Sequence, residues 1–143
     1  MNRELGQPAV RIAGPRRDLP RLLPAASVFV GVSRAALEAM ACARPVILAG
    51  SQGYMGIFRA EMLTEAIRTN FTGRGWPEVA AAALANDLRE ILLAEPAYRD
   101  RIGQFNRQVV EQHYSSRIMA EKTHRFYQSV LQAQNLSGAK VQF

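Results

Sequence analysis

Residues 27–32, Ser-Val-Phe-Val-Gly-Val, and residues 45–49, Pro-Val-Ile-Leu-Ala, enclose the segment Ser-Arg-Ala-Ala-Leu-Glu-Ala-Met-Ala at 33–41. Both outer runs are apolar without alternation, which is typical of strands buried on both faces of a parallel sheet. The middle segment consists mainly of strong helix formers and begins with a serine suited to capping a helix. A strand, a helix and a second strand in this order predict a βαβ unit with parallel strands and a right-handed crossover.

The flanking sequence extends this unit into an α/β fold. Residues 10–13, Val-Arg-Ile-Ala, predict a further strand, closed by a Gly-Pro turn. Residues 50–56 contain three glycines and predict a loop, and a helix is expected over 60–69. From Pro77 onward the pattern is helical. The chain is therefore predicted to form a partial Rossmann-like parallel sheet of about three strands, all before residue 50, with flanking helices and a C-terminal helical layer.

The helical part divides at Glu95-Pro96 and again at Ser115 or Ser116, which is expected to cap the last helix. One helix presents a single apolar face that consists of Leu84, Leu88, Ile91 and Leu92. The last helix is predicted to bury a stripe of Met119, Thr123, Phe126, Tyr127 and Val130. We expect residues 1–134 to be one domain and residues 135–143 to be a flexible tail.

Composition limits the classes of protein to consider. The 143 residues are 48% hydrophobic and 21% charged, which excludes low-complexity and disulfide-rich chains. The single cysteine, Cys42, excludes an intramolecular disulfide and a cysteine-based zinc site. No apolar run approaches the roughly 20 residues of a membrane span, and the N-terminus lacks the apolar core of a signal peptide. A cytoplasmic, soluble protein is expected, with peripheral attachment to a membrane left open.

The net charge of +6 is concentrated at one end of the chain. Residues 1–60 contain eight arginines and three acidic residues, whereas residues 61–143 contain ten basic and nine acidic residues. A local positive field favours anionic partners such as nucleotides or sugar phosphates. Scattered surface arginines that keep the protein soluble are the alternative.

Ligands of open parallel sheets bind beyond the carboxyl ends of the strands. Residues 14–17, 31–34 and 50–56 are all predicted to meet there. The backbone N–H groups at 33–36, together with the positive end of the helix and the charge of Arg34, predict an anion site. Glu38 could bind a ribose diol. The alternatives are that Ser33 is only a cap and that Glu38 forms an i, i+4 salt bridge with Arg34.

Residues 25–47 resemble the central signature of GT-B glycosyltransferases, particularly glycosyltransferase family 4. That signature reads A-x-D-V-F-V, a glycine-containing turn, and then L-E-A-M-A-x-G-x-P-V-I. Residues 93–107, 113–115 and 126–127 are similar to the helical end of the same domain, so the resemblance spans most of residues 9–132. It implies the C-terminal, donor-binding domain of a two-domain enzyme, without its first strands and without the N-terminal acceptor-binding domain.

The resemblance also implies roles for individual residues. Glu38 falls on the second glutamate of the family's E-x7-E motif, but Val30 stands where the first glutamate contacts the donor sugar. Ala43 stands at a position where the family usually has glycine. The candidate nucleotide-sugar-binding residues are Gly14, Arg16, Gly31, Ser33, Arg34, Glu38, Gly50, Ser51 and Gly53. The catalytic residues stay unknown, and no metal is assigned. No cofactor is expected, because the nucleotide-diphosphate-sugar is the substrate.

Function is therefore predicted as the donor-binding part of a glycosyltransferase that transfers a sugar to an acceptor hydroxyl, inactive on its own. One alternative is a non-catalytic subunit, either a homo-oligomer or a chain that completes a partner's sheet through the edge at 10–13. A second is a basic module that binds nucleic acid through Arg16, Arg17 and Arg21. Nucleic acid is the less favoured partner, since no basic stripe interleaved with aromatic residues is present.

Overall fold

One three-stranded sheet organises the chain in the computed structural model, which describes residue 6 and residues 9–138. The strands β1 (Phe29–Gly31), β2 (Val46–Gly50) and β3 (Gly53–Ile57) lie in the order β1-β2-β3. β1 and β2 are parallel and are joined by the helix α2 (Ser33–Ala41), whereas β3 is antiparallel to β2. The α/β class and the parallel pair predicted from residues 27–49 are confirmed, but the sheet as a whole is mixed.

The third strand is not the one predicted. Residues 10–13 are exposed and form no strand, and Ile12 is 93% exposed. The predicted loop at 50–56 instead supplies β3, which pairs with β2 through a tight turn at residues 51–52. Pairing with β2 and burial of Met55 and Ile57 outweigh the low strand propensity of the glycines. The expectations that all strands precede residue 50 and that residues 10–13 offer a sheet edge for association are therefore wrong.

The sheet is covered on both faces, as the unbroken apolar runs predict. Alternate side chains of β2 enter two separate cores. Val46 and Leu48 belong to a core that also contains Met40, Phe58, Phe71 and Val109. Ile47 and Ala49 belong to the other, with Ile57, Ile91 and Ile102.

Five further helices and two single turns of 3-10 helix complete the fold. The helices are α1 (Leu19–Leu22), α3 (Leu63–Arg68), α4 (Ala81–Leu93), α5 (Pro96–His113) and α6 (Ser116–Gly138), and the 3-10 turns are Leu23–Ala25 and Ala60–Met62. The break at Glu95-Pro96 is confirmed. α4 begins later than predicted because the Pro77 carbonyl accepts a hydrogen bond of 2.8 Å from the Tyr54 N–H of β3.

α5 packs closely against the end of α2. There the Ala43 N–H donates to the Met40 carbonyl at 2.9 Å and the Arg44 N–H donates to the Ala39 carbonyl at 3.1 Å. This pair of bonds is a Schellman motif, which places Ala43 in the left-handed region at φ 54°. A Cβ on Gly103 would lie 2.1 Å from the Ala43 carbonyl oxygen. Only glycine at position 103 therefore allows α5 to pack this close to the end of α2.

The stripe predicted to be buried on the last helix is exposed. Ser115 caps α6 by accepting a bond of 3.3 Å from the Ile118 N–H, but every side chain from residue 122 to residue 134 is exposed. Phe126 and Tyr127 are 64% and 62% exposed. Periodicity identifies the apolar face of a helix but not what covers it. α6 continues to Gly138, past the predicted start of the tail, and residues 139–143 lie outside the described residues.

Candidate functional site

The residues after β1 and the turn after β2 lie side by side at the carboxyl ends of these two strands. A Cβ on Gly50 would lie 2.9 Å from the methyl groups of Val32, so the β2–β3 turn packs directly against the start of α2. The candidate residues from two of the predicted segments therefore share one edge of the sheet, namely Gly31, Ser33, Arg34, Gly50, Ser51 and Gly53.

A third segment at this edge was not predicted as part of the site. The loop at 69–76, between α3 and α4, reaches both neighbours: the Phe71 carbonyl accepts a bond of 2.8 Å from the Ser33 N–H. Arg74 Nε donates to Gln52 Oε1 at 3.2 Å. A Cβ on Gly53 would lie 2.0 Å from the Gly73 carbonyl oxygen, so the two backbones touch. In the sequence this segment reads only as a glycine-containing loop, and the tertiary contact that brings it here leaves no local signal.

The N-terminus of α2 offers fewer free donors than predicted. Val32 occupies the cap position without a side-chain bond, and Ser33 is the first helical residue, at φ 54°. The Ser33 N–H is bonded to Phe71, and the Ala36 N–H donates to the Val32 carbonyl at 3.4 Å. The capping role predicted for Ser33 is therefore wrong, and the anion-binding set reduces to the N–H groups of residues 34 and 35, which have no intrahelical acceptor.

Glu38 lies on the exposed side of α2 and forms the salt bridge that the sequence offered as an alternative. Arg34 Nε donates to Glu38 Oε1 at 3.0 Å, and the two side chains are 91% and 40% exposed. An exposed i, i+4 pair of this kind contributes about 0.3–0.5 kcal/mol. A ligand that bound Arg34 or Glu38 would therefore break an interaction of low free energy.

A second ion pair flanks the loop. Arg68 binds Glu65 through two bonds, from Nε to Oε2 at 2.8 Å and from Nη2 to Oε1 at 2.6 Å. These bonds lower the pKa of the Glu65 carboxyl and raise the pKa of Arg68. The charge of Arg68 is therefore balanced in part by the carboxylate of Glu65.

Two candidate residues lie apart from this assembly. Gly14 is in an exposed segment before α1, with nothing within 4 Å of a Cβ built on it. Arg16 is bonded to Asp18, and among the described residues no hydrogen bond or ion pair links it to the sheet edge. Their membership of the site stays a prediction.

A hydrogen bond between Tyr54 and Asp87 links β3 to α4. The Tyr54 hydroxyl donates to Asp87 Oδ2 at 2.5 Å, and burial together with this bond raises the pKa of Tyr54. Gly56, at φ +78°, makes room for this carboxylate, since its Cβ would lie 2.9 Å from Asp87 Oδ2.

Within the described residues no group of three or more His, Cys, Asp and Glu side chains could hold a metal ion. No described helix is long and apolar enough to cross a membrane.

Comparison with known proteins adds no family to this description. A scan against protein-family models, a search of curated proteins and a search of solved structures each gave no match. The resemblance to glycosyltransferases therefore rests on the residues of the sequence alone.

Proposed function

We propose that the chain binds a nucleotide-sugar and is the donor-binding part of a glycosyltransferase that transfers the sugar to an acceptor hydroxyl. The observation that carries this proposal is the β1–α2–β2 unit. The residues that resemble the glycosyltransferase signature fold as two parallel strands joined by a nine-residue helix, with Glu38 exposed on that helix. Open parallel sheets bind nucleotides beyond the carboxyl ends of their strands, and the start of α2 follows the carboxyl end of β1.

The proposed chemistry divides between the start of α2 and its second turn. The N–H groups of Arg34 and Ala35, with the Arg34 guanidinium, stabilise the negative diphosphate. Glu38 lies five residues beyond Ser33, about 7.5 Å along the helix axis. Its carboxylate accepts hydrogen bonds from both hydroxyls of the ribose.

The chain by itself is proposed to lack transferase activity. Sugar transfer needs a general base within hydrogen-bond reach of the acceptor hydroxyl. Both histidines, His113 and His124, are placed on α5 and α6 rather than at the strand ends. Release of the nucleotide from any nucleotide-sugar by the purified chain, lost in Glu38→Ala, would contradict this part of the proposal.

Calorimetric titration with uridine and guanosine diphosphates tests the binding site, and the chain supplies a matched control. Arg107 and Glu111 on α5 form an i, i+4 pair at 2.8 Å, equivalent to the pair of Arg34 and Glu38. We expect Arg34→Ala to weaken binding more at low salt than at high salt, because its contribution is an exposed charge. Glu38→Gln should weaken binding at both. Equal effects of Arg107→Ala and Glu111→Gln would show that the site is not on α2.

A second candidate, a non-catalytic subunit that associates with a second copy of the chain, is favoured by the exposed apolar face of α6. Met119, Thr123, Phe126 and Val130 recur at intervals of four, three and four residues, the spacing of a coiled-coil seam. Three of these, Met119, Phe126 and Val130, are large apolar side chains at least 38% exposed.

Sedimentation at micromolar concentration tests this candidate. A dimer that dissociates in Phe126→Ser, but persists in Gln128→Ser on the polar face of the same helix, would support it. A monomer at every concentration would contradict it.

A further inference from the structure

A polar cavity of about 280 Å³ lies at the end of α3 and in the loop that follows it, and its lining consists of Arg68, Thr69, Asn70, Thr72 and Arg74. We call it the Arg68–Arg74 cavity. The bond of 2.8 Å from the Ser33 N–H to the Phe71 carbonyl fixes this loop against α2. No carboxylate is among the lining residues.

The loop that forms the cavity is held in shape by the end of α3. The Asn70 N–H donates to the Ile67 carbonyl at 3.1 Å and the Phe71 N–H donates to the Ala66 carbonyl at 2.7 Å, which is a Schellman motif. Asn70 and Phe71 both adopt left-handed conformations, at φ 54° and 57°. The Phe71 ring is fully buried, with its centroid 5.4 Å from that of Phe58. A ligand therefore meets a loop that is already ordered, which reduces the entropic cost of binding.

The charge of the cavity is positive. Arg74 donates its Nε to the neutral Gln52 amide and has no ion pair with any described carboxylate. Arg68 is paired with Glu65 through Nε and Nη2, which leaves its Nη1 available. Two guanidinium groups against one carboxylate leave an excess of one positive charge.

The hydroxyl groups of the cavity are engaged within the loop. Thr69 Oγ1 donates to the Glu65 carbonyl at 2.9 Å and Thr72 Oγ1 donates to the Thr69 carbonyl at 2.7 Å. The donors left for a ligand are Arg68 Nη1, the two terminal nitrogens of Arg74 and the side-chain amide of Asn70. A fork of guanidinium nitrogens without a nearby free carboxylate matches the tetrahedral oxygens of a phosphate group.

We propose that the Arg68–Arg74 cavity is a phosphate subsite that binds the terminal phosphate of a nucleoside diphosphate held at the start of α2. The assignment of the nucleoside part rests on the proposed function, whereas the affinity for phosphate follows from the cavity itself. The bond from the Ser33 N–H to the Phe71 carbonyl holds the loop of the cavity against the start of α2, so the arginines of the cavity and the N–H groups of Arg34 and Ala35 belong to neighbouring segments.

Calorimetric titrations of the full chain with uridine diphosphate, uridine and inorganic diphosphate test the subsite. Arg74→Gln removes the unpaired charge, and Arg74→Lys retains it without the fork. Arg89→Gln is the matched control, because Arg89 is also an exposed arginine bonded to a neutral amide, Asn86 Oδ1, at 3.3 Å. We expect Arg74→Gln to weaken both diphosphates about tenfold, Arg74→Lys to recover part of the loss, and Arg89→Gln to have no effect.

The other outcomes separate the subsite from the proposed function. Binding of uridine diphosphate that is unchanged in Arg74→Gln but weakened in Glu38→Gln would overturn the subsite and leave the proposed function standing. Arg74-dependent binding of inorganic diphosphate, with no tighter binding of uridine diphosphate, would support the subsite and contradict a nucleotide function. Failure of all three probes to bind the wild-type chain would overturn both.

Discussion

Replacement of Ala43 by glycine should stabilise the protein, although the residue lies outside the candidate site. Ala43 follows α2 in a left-handed conformation, at φ 54°. That conformation costs an alanine about 1–2 kcal/mol relative to glycine. Glycine also destabilises the fold by about 0.5–1 kcal/mol, because the unfolded chain has more conformational freedom with glycine than with alanine. The difference predicts that Ala43→Gly raises the free energy of unfolding by about 0.5–1 kcal/mol, or the melting temperature by about 2–5 °C.

Urea unfolding followed by circular dichroism measures this change as a shift of the midpoint at constant m-value. Ala41→Gly is the matched control, since Ala41 is the last residue of α2 and is exposed. The same substitution in a right-handed helical conformation should destabilise by up to about 1 kcal/mol. If both variants lose stability to the same degree, Ala43 does not adopt the left-handed conformation and the account of this helix end is wrong.

Two further substitutions test the packing of α5 and the polar contacts of α4. Gly103→Ala should destabilise the protein by about 3 kcal/mol, since its Cβ would lie 2.1 Å from the Ala43 carbonyl oxygen, which belongs to the backbone and not to a flexible side chain. An unchanged urea midpoint would contradict this contact. Glu90 accepts bonds from Tyr98 and Arg59, which lower the pKa of its carboxyl. Because the pKa of Glu90 is lower in the folded chain, its ionised carboxyl stabilises the fold at pH values above its pKa in the unfolded chain. This contribution is lost as the pH falls through its pKa in the folded chain. Glu90→Gln should therefore cost up to about 1 kcal/mol at neutral pH and progressively less as the pH falls through the folded pKa, and a loss that does not change with pH would refute the assignment.

The sequence predicted the parallel core of the fold because that core depends on local patterns. Residues 27–49 combine unbroken apolar runs with a segment of helix formers, and these features act within a few residues of one another. β3 could not be predicted in the same way. Its glycines favour a loop, and only pairing with β2 makes the strand stable.

The candidate site was predicted in part for a similar reason. The start of α2 and the turn after β2 follow from where strands end. The loop at 69–76 joins them through contacts between distant residues, such as the bond from Ser33 to Phe71. That bond uses an N–H group which the sequence alone suggested was free. The exposed stripe on α6 shows the same limit, because periodicity predicts an apolar face without identifying its partner.

The most direct test of the central claim is a titration of the labelled chain with uridine diphosphate, followed through backbone amide chemical shifts. We expect shifts at residues 31–38, at the β2–β3 turn and in the loop at 69–76, all saturating with one affinity. Shifts confined to α5 and α6, or no shifts at millimolar nucleotide, would contradict it.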